Sequence, residues 1–483
     1  MNINQYITSK RTIFSAVVLA VIVLSVLPFA RFISEKPLII GEKPYYDLRI
    51  TETIISKGIL FGDNLVLDGR EYITKPYHLM LLPFVYFFGS NISLILIISL
   101  FCGLISVLLI FLILKKLNVE MPKIFFSLVI LILSPTFIFA FSTLNEFCFS
   151  IVFLLSGIYF FLKSENIFLP LFFLLLSSFL SIISLIAALL LLIFLTKIFS
   201  ERKKNLHKLF IILFFTALIY YIPHFFETGF FSKLDIIGRN DFRVLISDLG
   251  SQTGMGIFCF VLGIIGLFTS WNDKKDLKPI YLLILLLLID CFYFEYANIY
   301  LIFLFSIFAG TALTRLIRIK WEFEFLKEFT ILLLIFGLLF STISYTNRSS
   351  YAEPDKDMKK ALDWLEDRPG NMIVFSTYNN GFWIQYWANK PVLTDGLFNF
   401  NNAKQKFEDS EQIFHSRDIE KTKELMSKYN IQYIFIDPKM KEGSVWNKKE
   451  GLWYLLGNNA TFKSIYQRND IEIWEYTLLG DIT

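Results

Sequence analysis

Charge is scarce in this sequence, and it is missing in blocks. Charged residues make up 18% of the 483 positions and apolar residues 55%. The runs Thr12 to Ala30 and Ile92 to Leu114 carry no charge at all. About 19 or more residues of helix are enough to cross a hydrocarbon core of about 30 Å, and a soluble chain does not concentrate apolar residues this way. Cysteine is scarce too. Cys102, Cys148, Cys259 and Cys291 all fall in apolar runs, at no metal-ligand spacing. None lies after Thr346, which excludes a disulfide framework there. The net charge is only +4, and the basic residues sit in short loops rather than on one domain, which excludes a nucleic-acid partner. There is no internal repeat. His224 and His415 stand alone and take no role. What the chain has in abundance is Phe, 54 copies, mostly within the apolar runs, as suits lipid-facing and helix-packing surface.

Eleven apolar segments are predicted as transmembrane helices, near 12–31, 92–114, 122–141, 145–163, 166–180, 181–199, 208–225, 254–270, 279–293, 296–315 and 327–345. The stretch 166–199 divides at the serines Ser177, Ser178, Ser181 and Ser184. The first segment is too long for a signal-peptide core and reads as a retained helix. The basic loops orient the bundle. Lys10 and Arg11, Lys115, Lys116 and Lys123, Arg202 to Lys204, Lys274 and Lys275, and Arg315, Arg318 and Lys320 all share one side in an eleven-span arrangement. That side is expected to be the cytoplasm. The N-terminus is then cytoplasmic, in a multi-pass protein of the cell membrane. The loops 31–75 and 226–253, and everything after Thr346, are extracytoplasmic. The expected fold is a polytopic α-helical membrane domain, 1–346, followed by a soluble α/β domain, 347–483. In that domain Asp355 to Asp367 reads as an amphipathic helix, and Ser410 to Tyr429 contains a second. Met372 to Phe375 and Tyr433 to Ile436 read as buried strands, and Phe462 to Tyr476 as a hairpin turning at Arg468-Asn469-Asp470.

The first external loop concentrates the chemistry. Pro44 suits the first turn of a helix and Gly58 suits its end. Glu42 therefore stands at a helix N-terminus, where the dipole favours a carboxylate. Arg49 and Glu52, three apart, are placed to pair. Asn64 to Leu67 and Glu71 to Ile73 flank Asp68-Gly69, a hairpin signal. Lys75-Pro76-Tyr77-His78 leads back to the membrane, into an apolar stretch, Leu79 to Gly89, too short to span alone. An acid, two arginines (Arg49 and Arg70), a lysine and a histidine thus meet at the membrane boundary. Tyr46, Asp47 and His78 are candidates for the cavity around them. Arg239 and Asp241, on the second large external loop, are placed to join them or to pair with one another in solvent. Glu146, near the end of an apolar span, is a functional candidate because ionisable groups are costly there.

This loop resembles that of the GT-C membrane glycosyltransferases. In their protein mannosyltransferase and aminoarabinose transferase branch it begins Asp-Glu-Pro-Tyr-Tyr, turns at Asn-Gly and closes on an aromatic and Lys-Pro-Pro. The matching residues are Glu42-Lys43-Pro44-Tyr45-Tyr46, Asp68-Gly69 and Tyr72-Ile73-Thr74-Lys75-Pro76. Tyr45 to Arg49 is similar to the Trp-Tyr-His-Leu-Arg run of oligosaccharyltransferase catalytic subunits. Ser134-Pro135 with Thr143-Leu144-Asn145-Glu146 resembles the third and fourth spans of the family. Ala361 to Leu365, Gly381 to Ile384 and Ala388 to Val392 resemble the start of the oligosaccharyltransferase external domain. There are departures. Glu42 replaces the family's first Asp, Lys43 replaces its neighbouring Glu, and Thr377-Tyr378-Asn379-Asn380-Gly381 replaces the Trp-Trp-Asp-Tyr-Gly that reads acceptor peptides.

The resemblance implies an inverting glycosyltransferase that takes a sugar from a polyprenyl-phosphate-linked donor to the hydroxyl of a protein, glycan or lipid acceptor. It implies Glu42 as base, with Glu146 orienting the acceptor or binding a divalent ion together with Glu42, and Lys75, Arg49 and Arg70 facing the donor phosphate. If the donor is a diphosphate, it implies a divalent Mn or Mg ion. An oligosaccharyltransferase catalytic subunit is the nearest rival. A transporter is a more distant one, disfavoured by charges gathered at one face and by the lack of repeated halves. The Lys-, Ile- and Phe-rich composition suits an AT-rich microbial, archaeal source.

Overall fold

The computed structural model describes residues 8–72, 74–89, 92–228, 240–271, 274–370 and 372–477. These fall into two compact units. Residues within Met1–Ser34, Asn91–Pro223 and Arg239–Tyr351 form the first, and those within Glu35–Ser90, His224–Gly238 and Ala352–Thr483 the second.

The first unit is a helical membrane bundle. A helix forms at each of the eleven apolar segments, beginning with α1, Ser9–Ile33. Among the described residues, six of these helices are long and apolar enough to cross a membrane. A bent pair, Met121–Ile132 and Pro135–Ser142, makes a seventh if it is one span. Its halves diverge by 64°, because Pro135 brings no N–H to continue the ladder from the first half and instead opens the second at its N-terminal turn. Other segments fall short. Phe168–Leu180 and Ile257–Thr269 have 13 residues each, or about 20 Å of helix. Among the described residues, then, all eleven segments are helical, and six or seven of them meet the length and apolarity of a full span. The serine break is where expected. Ser181 is extended (φ −152°) between Phe168–Leu180 and Ile182–Ile198, while the Ser177 hydroxyl donates to the Ser150 carbonyl of a neighbouring helix, 2.7 Å away. Packing is close where side chains vanish: a Cβ on Gly266 would stand 2.0 Å from the Phe308 carbonyl oxygen, the small-residue contact that lets membrane helices approach. Phe14, Phe29, Phe215 and Phe336 remain exposed on the bundle, as lipid-facing side chains do.

The second unit joins the loop within Glu35–Ser90 to the C-terminal α/β domain. Its sheet has the order β3-β4-β6-β5, with β3 (Ile373–Phe375) parallel to β4 (Ile431–Ile436) and the hairpin β5 (Phe462–Arg468) and β6 (Ile471–Tyr476) antiparallel to it. Asn469 and Asp470 turn that hairpin with φ of 46° and 64°, as a two-residue turn of matching twist requires. The helix Lys356–Glu366 is capped by Asp355, which accepts from the Met358 N–H at 2.7 Å, and buries Met358, Ala361, Leu362 and Leu365. The amphipathic helix expected within Ser410 to Tyr429 is Ile419–Lys428, and a further helix, Ala403–His415, precedes it. Asp418 starts the later helix by accepting from the N–H groups of Glu420 and Lys421. Phe375, Leu393, Ile413, Phe414, Ile434 and Trp446 anchor the core.

The loop is tied into this domain along its length. The helix α2, Lys43–Lys57, has Glu42 before it, Pro44 in its first turn and Gly58 (φ 83°) at its end, as the sequence requires. The strands β1 (Gly62–Asp63) and β2 (Arg70–Glu71) are shorter than expected and enclose six residues. Leu65 to Leu67, read as strand, instead bond to the C-terminal domain: Leu67 N–H donates to the Val392 carbonyl at 2.9 Å and Val392 N–H to that of Leu65 at 3.1 Å. Asp68 (φ 65°) and Gly69 (φ 68°) still make the turn. The short helix α3, Pro76–Phe88, buries Tyr77, His78, Leu81 and Val85 and exposes Leu79, Tyr86 and Phe87.

Candidate active site

Glu42 occupies the N-terminal end of α2, but its side chain does not cap the helix. The carboxylate is half-buried and lies against the backbone of Gly396, where a Cβ would stand 2.8 Å from Oε1. Trp383 holds the preceding residue by donating from Nε1 to the Gly41 carbonyl at 3.1 Å. Tyr378 lies nearby: burial pushes its phenol up, and the negative charge of Glu42 adds to the effect.

Below α2 sits a buried ionic cluster. Arg49 grips Asp63 with both Nη atoms, at 2.9 and 2.8 Å, and reaches Gln385 Oε1 at 3.0 Å. Arg70 donates from Nε to Asp63 at 3.0 Å and grips both oxygens of Asp395. Gln385 also donates to Asp395 at 2.9 Å. Two guanidiniums and two carboxylates thus cancel in charge, with Tyr46 beside them, its ring centroid 5.5 Å from the guanidinium carbon of Arg49 and 5.4 Å from that of Arg70. Burial works to raise the Asp63 carboxyl, but hydrogen bonds and charge from the two arginines outweigh it and hold the group at about 2. Glu52, expected to pair with Arg49, instead accepts from the Tyr386 hydroxyl at 3.2 Å. Asp63 wins because its two oxygens meet the planar guanidinium fork.

Asp47, His78 and Tyr72 form a second buried chain. His78 Nε2 lies 2.9 Å from Asp47 Oδ1, and its Nδ1 meets the Tyr72 hydroxyl. With Asp47 accepting from Nε2–H, Nδ1 is left to accept from Tyr72. Lys75 stands between Tyr72 and His78 in sequence. It is half-buried, extended and immediately before α3, and its carbonyl accepts from the His78 N–H at 3.0 Å. Among the described residues its ammonium makes no ion pair.

The other sequence candidates lie in the membrane unit. Glu146 is half-buried in the first turn of Glu146–Lys163, which Asn145 caps by accepting from the Cys148 N–H at 3.2 Å. Tyr220, Tyr221 and Tyr300 are within electrostatic reach of its carboxylate. Asp241 is exposed and pairs with Arg243 at 2.5 Å, a local contact in solvent. Arg239 falls outside the described residues. Among the described residues no group of three His, Cys, Asp or Glu is arranged to hold a metal ion.

Asp63, Asp395, Gln385 and Gly396 were not among the sequence candidates. Asp395 and Arg70 are 325 residues apart, and no local pattern links them. Thr394-Asp395-Gly396 reads by itself as a turn.

No protein-family model matches the chain, and no curated protein matches it in sequence. Solved structures do match in fold. The Archaeoglobus fulgidus oligosaccharyltransferase in its apo form aligns with 98% of this chain and 75% of its own at 14% identity and a TM-score of 0.64. The same enzyme tethered to an acceptor peptide containing the NVT sequon covers 89% of this chain and 70% of its own, at 13% identity and a TM-score of 0.63. ArnT from Cupriavidus metallidurans, bound to undecaprenyl phosphate, covers 96% of this chain and 98% of its own, at 11% identity and a TM-score of 0.52. The chain therefore shares its fold with these oligosaccharyltransferase and ArnT structures: a polytopic helical membrane domain and a C-terminal α/β domain.

Proposed function

We propose that this protein is an inverting membrane glycosyltransferase, moving a sugar from a polyprenyl-phosphate-linked donor to an acceptor hydroxyl at the outer face of the membrane. The observation that carries this reading is the setting of Glu42: a half-buried carboxylate at a helix N-terminus, seated on Gly396 beside Tyr378. The lipid carrier is inferred from two proteins of this fold, an archaeal oligosaccharyltransferase solved with a dolichol-phosphate and ArnT bound to undecaprenyl phosphate. The outward direction rests on the basic loops.

In this reading Glu42 takes the proton of the acceptor hydroxyl as its oxygen attacks the anomeric carbon. The bond from that carbon to the phosphate oxygen breaks on the opposite face, and its electron pair leaves with the lipid phosphate. Configuration therefore inverts. Lys75 supplies the cation that receives the departing phosphate. Arg49 and Arg70 take a different role from the one the sequence suggested. Their guanidiniums are committed to Asp63 and Asp395, so they hold the loop rather than the donor. Any dependence on Mn or Mg belongs to a diphosphate donor.

A peptide acceptor is the less favoured reading. Asn380, within the segment that replaces the peptide-reading motif, is buried and donates to Asp437 at 2.5 Å, so it faces the domain core. The reading is tested by incubating the membrane-embedded protein with polyprenyl-phosphate sugars and comparing it with Glu42→Gln. Loss of transfer in the variant supports it. Transfer to Asn-X-Ser/Thr peptides alone would select the rival.

A further inference from the structure

The tip of the first loop carries a feature that the transfer reading does not use. Phe61, Asn64 and Glu71 from the hairpin, with Asn399 and Asn401 from the segment after Gly396, line a cavity of about 400 Å³. That volume suits a small ligand. The chemistry of the wall is specific. Each amide presents donors beside an acceptor, and Glu71 offers two acceptor oxygens. Vicinal hydroxyls of a sugar ring, each both donor and acceptor, match such groups. Arg70 fixes one of them, since its Nη1 donates to Asn399 Oδ1 at 3.1 Å and so leaves the amide NH2 as the end that can donate to a ligand. The Phe61 ring is 84% exposed at the cavity edge, an apolar plate of the kind that stacks on the C–H face of a pyranose.

The charge of the wall selects among ligands. Arg70 is already matched by Asp63 and Asp395, and Asp68 pairs with Lys406 at 2.8 Å. Glu71 adds a negative charge. A phosphate would find no spare cation here, whereas a neutral polyol would find every group it needs. The cavity is also tied to the candidate base: Arg70 on its wall grips Asp395, whose neighbour Gly396 seats Glu42.

We propose that this cavity binds a neutral saccharide unit of a glycan whose other end lies at Glu42. Its place in transfer rests on the glycosyltransferase reading; its binding of sugar does not.

The test uses the full-length protein in lipid nanodiscs, free of sugar-headed detergent. The probes are free mono- and disaccharides of glucose, mannose, galactose and N-acetylglucosamine, followed by saturation-transfer NMR and calorimetry. At least one is expected to bind, and Phe61→Ala and Asn401→Ala should each weaken it about tenfold at unchanged melting temperature, since both side chains are exposed. Glu42→Gln should bind as the parent does. Failure of every sugar to bind, or equal binding by both variants, overturns the proposal. Kinetics then identify the source. Phe61→Ala raises KM for the acceptor if the unit belongs to an acceptor glycan, and KM for the lipid-linked donor if it belongs to the donor; both unchanged overturns the placement. If the glycosyltransferase reading itself is wrong, the parent protein transfers no sugar from a polyprenyl-phosphate-linked donor, whatever the sugar titration gives.

Discussion

Glu42 and Gly396 are in contact, and the contact leaves no room for a side chain: a Cβ on Gly396 would stand 2.8 Å from Oε1 and 3.3 Å from Cδ of Glu42. The atom that must yield is the end of a flexible side chain, so Gly396→Ala is expected to fold normally and to displace the carboxylate. A misplacement of about 1 Å costs on the order of a hundredfold in rate. Transfer should fall by that order, while the melting temperature of the purified protein changes little. An unaffected rate would separate Glu42 from the chemistry.

The ionic cluster should behave as a structural element. Asp395→Ala leaves Arg70 buried with only Asp63 as its acid partner. Removing one member of a buried pair costs about 3–5 kcal/mol. Thermal unfolding should show a clear loss of stability for Asp395→Ala and for Asp63→Ala, with transfer lost in proportion to folded protein apart from any effect through Gly396.

Lys75 should behave in the opposite way. Lys75→Ala is expected to retain the parent melting temperature and lose about 10²- to 10³-fold in kcat/KM, while Lys75→Arg keeps the charge and recovers part of the rate. Steady-state kinetics at several donor concentrations check this. A large drop in stability for Lys75→Ala would place it with the arginines instead.

Stability should fall as pH rises through neutrality. Burial and the neighbouring Asp437 push the Glu353 carboxyl up to about 7, against the pull of Lys439 at 2.8 Å. Between its ordinary value and about 7 the folded protein holds a proton that the unfolded chain releases, so stability is greatest at the acid end of this window and declines across it. The decline is about 3 kcal/mol in full. Melting temperatures measured from pH 5 to 8 should fall, and Glu353→Gln should flatten the profile. Glu353 also accepts, through its carbonyl, from the Gly41 N–H at 3.2 Å, so the same variant reports on the residue before Glu42.

Local features were legible in the sequence, and remote pairings were not. Apolar runs marked every helical segment of the bundle, because burial in lipid requires a continuous stretch of chain. Pro44 and Gly58 fixed the limits of α2, because each acts on its own backbone. Span lengths were less legible: Ser134-Pro135 bends a segment whose hydropathy is unbroken. The partner of Arg49 was misassigned to Glu52, the nearer in sequence, whereas the loop folds back to bring Asp63 into a two-oxygen grip. Asp395 and Gly396 carried only a turn signal, since their part depends on a segment of the C-terminal domain meeting Arg70 and Glu42 from far away in sequence.

The most direct test of the account is transfer by Glu42→Gln and Glu42→Asp in the presence of a polyprenyl-phosphate-linked sugar. Glu42→Gln keeps the size of the side chain and removes its basicity, so the rate should fall by about 10²- to 10⁴-fold in a protein that folds and inserts normally. Glu42→Asp should keep measurable activity. Parent-like turnover by Glu42→Gln would contradict the assignment of the base.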